Sequence, residues 1–181
     1  MIHELLDCND PLLKEELPAF DFVNPPTDPI ALAHDLAQTM IQHNGLGLAA
    51  NQIGLPYRAF AITGEQIIVC FNPKIVDFST EKVYLEEGCL SFPGLFVKVK
   101  RPRSVRVRYT EPNGNVVTKT FEGMTARVFQ HELDHLDGIR HTDRANRLHL
   151  EQARKRAKKA PKLTTNISSQ ARKVLNNLQE V

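Results

Sequence analysis

The stretch His131-Glu132-Leu133-Asp134-His135 lies inside a run of helical pattern, residues 124–137, that ends just before Gly138. On a helix, residues four positions apart lie about 40° apart around the axis and about 6 Å along it. Both imidazoles can therefore reach one metal ion, and the glutamate between them flanks the same face. Since two histidines cannot complete a tetrahedral site, a third ligand must come from elsewhere and leave one position for water. The stretch predicts a metal centre built on a helix.

Two histidine or carboxylate candidates for the third ligand follow the helix. His141 would complete the longer zinc-protease pattern His-Glu-x-x-His-x-x-Gly-x-x-His at residues 131–141. That pattern expects a methionine turn downstream, whereas all three methionines of the chain lie upstream. Glu151 would suit another class of zinc protease, but no supporting motif accompanies it. Both candidates are therefore weak on sequence grounds.

Cys89 is the third candidate and lies in the segment 86–91, Glu-Glu-Gly-Cys-Leu-Ser, directly after a predicted strand. A thiolate is a strong ligand for a borderline-soft divalent ion. A lone cysteine is otherwise most often a small buried apolar group. The glycine and polar residues around Cys89 argue against that ordinary role, and the scattered spacing of the three cysteines argues against a disulfide framework.

Residues 45–52 form another informative segment, Gly-Leu-Gly-Leu-Ala-Ala-Asn-Gln. Small residues alternate with leucine there, so that another backbone can approach closely. An extended peptide could pair with this segment as an added strand. The Gln52 amide could donate a hydrogen bond to a developing oxyanion.

Together, the three segments resemble the peptide deformylase family. Its motifs are Gly-φ-Gly-φ-Ala-Ala-x-Gln, Glu-Gly-Cys-φ-Ser and Gln-His-Glu-x-Asp-His-φ-x-Gly, where φ is apolar, and they correspond in order to residues 45–52, 87–91 and 130–138. The resemblance implies a metal-dependent hydrolase that removes the formyl group from the N-terminal formyl-methionine of nascent polypeptides and releases formate. Two alternatives remain open: a zinc endopeptidase with His141 as third ligand, and a catalytically silent module that binds the ribosome or RNA.

The resemblance also implies a role for individual residues. It assigns metal binding to Cys89, His131 and His135, general acid–base catalysis to Glu132, oxyanion binding to Gln52 and the Leu90 backbone N–H, and backbone pairing with substrate to Gly47. The family metal is usually Fe²⁺, with Zn²⁺, Ni²⁺ or Co²⁺ as substitutes. In this chemistry the carboxylate accepts a proton from water and returns it to the leaving nitrogen.

Helix phase predicts one further element of the substrate site. Val128 lies three positions before His131 and therefore on the metal face of the helix. We expect Val128 and Leu46 to line an apolar pocket for the methionine side chain. Phe96 stands where some relatives carry an arginine near the substrate, so substrate binding beyond the first residue is expected to differ here.

Asp134 is expected to orient the helix from behind the metal centre. Its partner would be Arg101 or Arg103, both of which lie at the end of a predicted strand. A carboxylate paired in this way supports the metal ligands indirectly.

The whole pattern predicts an α+β fold. A helix begins at Asp28-Pro29, and its apolar residues should face the core; these are Ile30, Ala33, Ala37, Met40 and Ile41. Short β-type runs follow at 58–63, 67–72, 75–78, 82–85, 96–100, 105–109 and 116–121. Further helices are predicted at 143–159 and 168–178. We expect antiparallel sheets packed around the central helix that carries the two histidines, with an N-terminal helix and a basic C-terminal helix.

Charge divides the 181 residues into an expected catalytic domain, 1–143, and a basic helical extension, 144–181. The first part carries 13 Lys or Arg and 19 Asp or Glu, whereas the extension carries 10 and 2. Such an extension, with Lys162 among its cations, could bind a polyanion, and the resemblance implies contact with ribosomal RNA. No apolar run approaches the ~18 residues of a membrane span, and the N-terminus lacks leader features. We therefore expect a cytoplasmic monomer without membrane contact.

Overall fold

The computed structural model describes residues 1–159. The predicted helix at 168–178 and Lys162 lie outside the described residues. The first long helix, α1, spans Pro29–Gln42 and begins as its sequence predicts. The Asp28 carboxylate accepts a hydrogen bond from the Ile30 backbone N–H at 2.9 Å, and proline occupies the first helical position.

The buried face of α1 differs from the predicted one. Leu32, Leu36 and Met40 form its centre and are almost fully buried, whereas Ile30 is 56% exposed. At 100° per residue, Ile30 lies more than a quarter turn from the centre of that face. The expectation that Ile30 faces the core was therefore wrong.

Within residues 1–159, seven strands form two antiparallel sheets. Their bounds are β1 Gly47–Ala49, β2 Ala59–Thr63, β3 Ile67–Phe78, β4 Lys82–Cys89, β5 Phe92–Pro102, β6 Ser104–Thr110 and β7 Val116–Glu122. The larger sheet has the order β1-β2-β3-β6-β7, and the smaller consists of β4 and β5. With the helices, the two antiparallel sheets confirm the predicted α+β class.

The predicted strands at 67–72 and 75–78 are one strand, β3, with an irregularity between them. The Asn72 backbone has φ of +48°, and the pairing register with β6 shifts between Phe71 and Lys74. The Asn72 side chain donates to the Phe20 carbonyl at 2.9 Å and accepts from the Phe20 N–H at 2.7 Å. These bonds hold the bulge and allow the strand to continue past Pro73, which has no N–H to donate.

The central helix, α2, spans Gly123–Leu136 and contacts strands of both sheets. Phe129 packs with Phe60 of β2 in the core beneath it, their ring centroids 5.1 Å apart. The helix ends where Gly138 takes φ of +69°. Arg58 binds this end, donating to the Leu136 carbonyl at 3.2 Å and to Asp137 at 2.7 Å. The structure thus confirms a helix carrying both histidines between the sheets.

The prediction of a single helix at 143–159 was wrong, because two helices cover this part of the chain. These are α3, His141–Arg144, and α4, Arg147–Lys159. The Asn146 side chain accepts a hydrogen bond from the His149 N–H at 2.8 Å, which starts a new helix. Helix α4 packs against β5. Within residues 1–159, no helix combines the length and apolar character that a bilayer crossing requires.

Gly138 should tolerate no side chain. A Cβ there would lie 2.6 Å from the Lys14 carbonyl oxygen, and the backbone is left-handed. We expect Gly138→Ala to lower the free energy of unfolding by at least about 1–2 kcal/mol, measured by urea denaturation. Gly64→Ala is the control, because its backbone is ordinary and its nearest neighbour lies at 3.4 Å. Equal stability of the two variants would contradict the prediction.

Candidate metal centre

Cys89, His131 and His135 converge although they come from β4 and α2. One ligand atom from each lies within 4.8 Å of the others, and they form the one such group found in residues 1–159. The Cys89 Sγ lies 3.2 Å from the His135 Nε2. A thiolate and two imidazoles suit a divalent ion in a tetrahedral site with one position left for water. Burial lowers the pKa of His135, whereas for His131 hydrogen bonds with Cys89 and Glu87 outweigh the effect of burial and raise the pKa.

The other two candidates for the third ligand lie outside this group. His141 is buried, with its Nε2 3.4 Å from the Leu95 carbonyl oxygen and its ring centroid 5.7 Å from that of His131. Burial and the neighbouring His131 lower the pKa of His141 to about 4. Glu151 is exposed on α4 and pairs with Arg147 at 3.0 Å. Neither position supports the zinc-protease alternatives.

Glu87 holds His131 from behind. Its Oε2 lies 3.1 Å from the His131 Nδ1, so that Nδ1 donates this bond and Nε2 is free for a metal ion. Burial alone would raise the pKa of Glu87, but hydrogen bonds from His131 and Arg101 and the arginine charge outweigh it. They hold the pKa of this carboxyl well below its usual range. Glu87 is therefore a carboxylate in the folded protein.

Arg101 settles the choice that the sequence left open for Asp134. It donates to Asp134 at 2.8 Å and to both oxygens of Glu87 at 2.6 and 2.9 Å, fully within the interior. Arg103 instead pairs with exposed Glu81 at 3.1 Å. The predicted pairing of Asp134 is therefore confirmed, with Arg101 as the partner out of the two that the sequence left open.

Two further arginines belong to this network, and sequence reasoning missed them together with Glu87. Arg127 donates to Glu87 at 2.7 Å, and Arg144 donates to Asp134 at 2.7 and 3.1 Å. Glu87 lies two residues before Cys89, a spacing that puts two side chains on one face of a regular strand, although the pairing of β4 with β5 is irregular between them. Arg127 lies four residues before His131 on the helix. These spacings were the available signals.

Glu132 lies against the backbone of β1. A Cβ on Gly47 would approach the Glu132 Cδ to 2.7 Å, so only glycine leaves room for the carboxylate. The Glu132 Oε2 is buried and has no hydrogen-bond partner among the described residues. Burial raises the pKa of Glu132 to about 7. An unpartnered buried oxygen next to three candidate metal ligands fits a site that could hold an ion and water.

Gln52 directs its amide toward the cysteine. The Ala49 N–H donates to its Oε1 at 2.8 Å, which leaves the Nε2 to face Ser91 Oγ at 3.1 Å and Cys89 Sγ at 3.6 Å. Leu90 directly follows Cys89, and its side chain packs against Gly45. The Gln52 amide therefore borders the candidate metal centre.

The two residues predicted to line the methionine pocket belong to one apolar cluster. Val128 is buried in the core cluster that includes Ala49 and Phe129, and half-buried Leu46 packs against that cluster.

Asn51 ties the neighbouring segment to α2, since its amide donates to the His135 carbonyl at 2.7 Å.

A family model and individual relatives both place the chain in one protein family. A family model described as polypeptide deformylase matches residues 2–151. The peptide deformylase of Caldanaerobacter subterraneus is 40% identical over 147 residues, covering 81% of this chain and 91% of that protein. That of Carboxydothermus hydrogenoformans is 38% identical over 148 residues, covering 81% and 95%.

Solved structures agree with the sequence relatives. A peptide deformylase from Synechococcus elongatus in complex with actinonin has a TM-score of 0.79 and 31% identity, covering 91% of each chain. One from Legionella pneumophila has a TM-score of 0.78 and 32% identity, covering 88% of this chain and 95% of that one.

A helical histidine pair, a thiol from a neighbouring strand and a buried carboxylate define a metal-dependent hydrolase. The chain belongs to the polypeptide deformylase family. It is a peptide deformylase that removes the formyl group from the N-terminus of nascent polypeptides. The comparisons give no support to an endopeptidase or to a catalytically silent binding module.

The network behind the metal centre predicts unequal effects for two arginines of the same segment. Arg101→Met should lower the free energy of unfolding by about 3 kcal/mol, because it leaves two buried carboxylates short of a partner. Arg103→Met removes the same charge from an exposed pair and should cost less than about 1 kcal/mol. Urea denaturation of the metal-loaded variants measures both. Equal effects would show that the buried network is not a stabilising feature.

Proposed function

We propose that Cys89, His131 and His135 hold the catalytic metal ion of this deformylase and that Glu132 moves the proton. The convergence of the three ligand atoms beside the unpartnered Glu132 carboxylate oxygen carries this proposal. A divalent ion bound there supplies the Lewis acidity that brings the pKa of water close to neutral. The remaining chemistry falls to side chains and backbone groups of the chain.

The native ion is proposed to be Fe²⁺, with Zn²⁺, Ni²⁺ or Co²⁺ able to replace it. A thiolate donates more charge than an imidazole, and it should make Zn²⁺ a weaker Lewis acid than in a site with histidine ligands alone. Iron is also the usual metal of the family. Metal analysis of protein purified without oxygen tests this assignment, and stoichiometric zinc in place of iron would contradict it.

Glu132 is proposed as the general base and then the general acid. Its Oε2 has no partner among residues 1–159, so it is free to accept a proton from water. Because burial raises the pKa of Glu132 to about 7, the carboxyl group can hold that proton and return it to the leaving nitrogen near neutral pH.

Gln52 and the Leu90 backbone N–H are proposed to bind the oxygen of the formyl group as negative charge develops on it. The Ala49 N–H fixes the Gln52 side chain by its Oε1, and the Nε2, which donates to Ser91 Oγ, already lies beside Cys89. Donors held in place before the reaction stabilise the transition state more than donors that must first reorient.

The free edge of β1 is proposed to bind the substrate backbone. Among residues 1–159, strand β1 is the outermost strand of the larger sheet and pairs only with β2. An extended peptide can therefore add to it beside Gly47. Leu46 and Val128 would then contact the methionine side chain. The reaction would take place in the cytoplasm, where chains are synthesised, with the enzyme as a monomer.

Turnover of formyl-Met-Ala by iron-loaded protein under anaerobic conditions tests the catalytic assignment. Glu132→Gln should lower kcat by about 10²–10⁴-fold, because the proton then lacks an acceptor. Bound metal should remain stoichiometric. The matched control is Glu122→Gln, which alters an exposed glutamate next to the same helix and should leave turnover unchanged.

Metal content gives the second arm of this test. Cys89→Ala should lose the ion, whereas Cys8→Ala, at a half-buried free cysteine, should keep it. A Glu132→Gln enzyme with full activity, or a Cys89→Ala protein with full metal content, would overturn the assignment of residues.

We also propose that the basic extension 144–181 binds ribosomal RNA. Within its described part, Arg154, Lys155, Lys158 and Lys159 are exposed on α4. Replacing these four by glutamine should weaken cosedimentation with ribosomes and flatten its salt dependence, because fewer phosphates are neutralised. The charge-matched control replaces exposed cations of the sheets, Lys74, Lys98, Arg106 and Arg108. Equal cosedimentation of both variants would contradict the proposal.

A further inference from the structure

A cavity of about 260 Å³ lies behind the metal helix. Its helical wall is formed by Gln130, Leu133, Asp134 and Asp137, which repeat at the spacing of one helix face. At 100° per residue this face points away from the side of α2 that carries His131. The cavity is therefore separate from the deformylation site.

Cations predominate in the lining of this cavity. Four positively charged side chains and two carboxylates contribute to it: Lys82, Lys100, Arg101, Arg144, Asp134 and Asp137. Both carboxylates already form ion pairs with guanidinium groups. Asp134 pairs with Arg101 and Arg144, and Asp137 pairs with Arg58. The lining thus carries an excess of two positive charges.

The two lysines are the uncompensated members of the lining. Within residues 1–159 neither lysine forms an ion pair with a carboxylate. The Lys100 Nζ lies over the Tyr84 ring, 5.5 Å from the ring centroid. They lie on the same face of the β4–β5 sheet, because Tyr84, which pairs with Lys100, is two residues from Lys82. Arg144 remains 48% exposed although it binds Asp134. Three cationic groups are therefore accessible to a ligand.

We propose that this cavity binds a phosphoryl dianion, either free phosphate or a phosphate monoester. A dianion matches the excess charge of the lining, and guanidinium and ammonium groups are the usual donors to phosphate oxygens. A water molecule occupies about 30 Å³ in the liquid, so the cavity has room for a tetrahedral oxyanion with several waters.

A ligand there would contact the support of the metal centre. Arg101 joins the cavity wall to Glu87, and Glu87 binds the His131 Nδ1. Because the cavity is formed only in the folded protein, the ligand would bind the folded protein in preference to the unfolded chain and stabilise it.

Calorimetric titration of the nickel-loaded protein with inorganic phosphate, at constant ionic strength, tests the proposal. We expect saturable binding at one site. Lys82→Met combined with Lys100→Met should weaken it at least about tenfold, since one charge-assisted contact is worth about a decade in affinity. Lys98→Met is the matched control, because Lys98 is an exposed lysine of β5 outside the cavity lining, and it should leave binding unchanged.

The same variants distinguish this cavity from the metal ion as the phosphate site. Phosphate on the metal ion would bind the double lysine variant as tightly as the unaltered protein, and that result would overturn the proposal. Absence of saturable binding would also overturn it. A parallel titration with glycerol 3-phosphate separates the two sources: comparable affinity supports a phosphate monoester, and binding of inorganic phosphate alone supports the free ion.

Discussion

Glu87 joins the two halves of the metal centre. It lies on the strand that supplies Cys89, and it binds the Nδ1 of His131 on the helix. A metal site needs its ligand atoms placed within a few tenths of an ångström, and here they come from two elements far apart in the chain. The carboxylate that orients the histidine is fixed to the same strand as the thiol, so one strand determines both positions.

This carboxylate is stable in the interior because three donors converge on it. Arg101 and Arg127 join His131 in binding its two oxygens. Removing charges from water is costly unless nearly every donor and acceptor is satisfied. Arg127 also donates to the Val83 and Val99 carbonyls, at 2.8 Å in each case. The network therefore ties α2 to both strands of the small sheet, and this connection holds the three candidate ligands in place.

Much of this arrangement could be predicted because it depends on local spacing. The histidine pair, the helix that carries it and the cap at Asp28 each follow from residues within a few positions of one another. The choice between Cys89 and His141 as third ligand does not follow from local spacing, because separation along the chain says nothing about distance in the fold. His141 does lie near His131, but its ring contacts the Leu95 carbonyl instead of the metal group.

Two of the wrong predictions, for α1 and β3, concern features that depend on long-range packing, whereas the third, for α4, does not. The burial of Ile30 depended on which face of α1 meets the sheet, and the continuity of β3 depended on the contact between Asn72 and Phe20. Neither could be derived from local pattern. The break before α4 is the exception, because Asn146 is a common capping residue and its signal was present in the sequence.

The contact between Glu132 and Gly47 links burial to chemistry. Since a side chain at position 47 would displace the carboxylate, the glycine allows it to lie directly against the β1 backbone. The same closeness excludes water from the carboxylate, and this burial raises its pKa toward neutrality. The proposed return of a proton by Glu132 at neutral pH depends on this raised pKa, because a carboxyl group in bulk water holds its proton too weakly. The absence of a Cβ at one position of an edge strand thus contributes to the burial that raises the pKa of a glutamate on the facing helix.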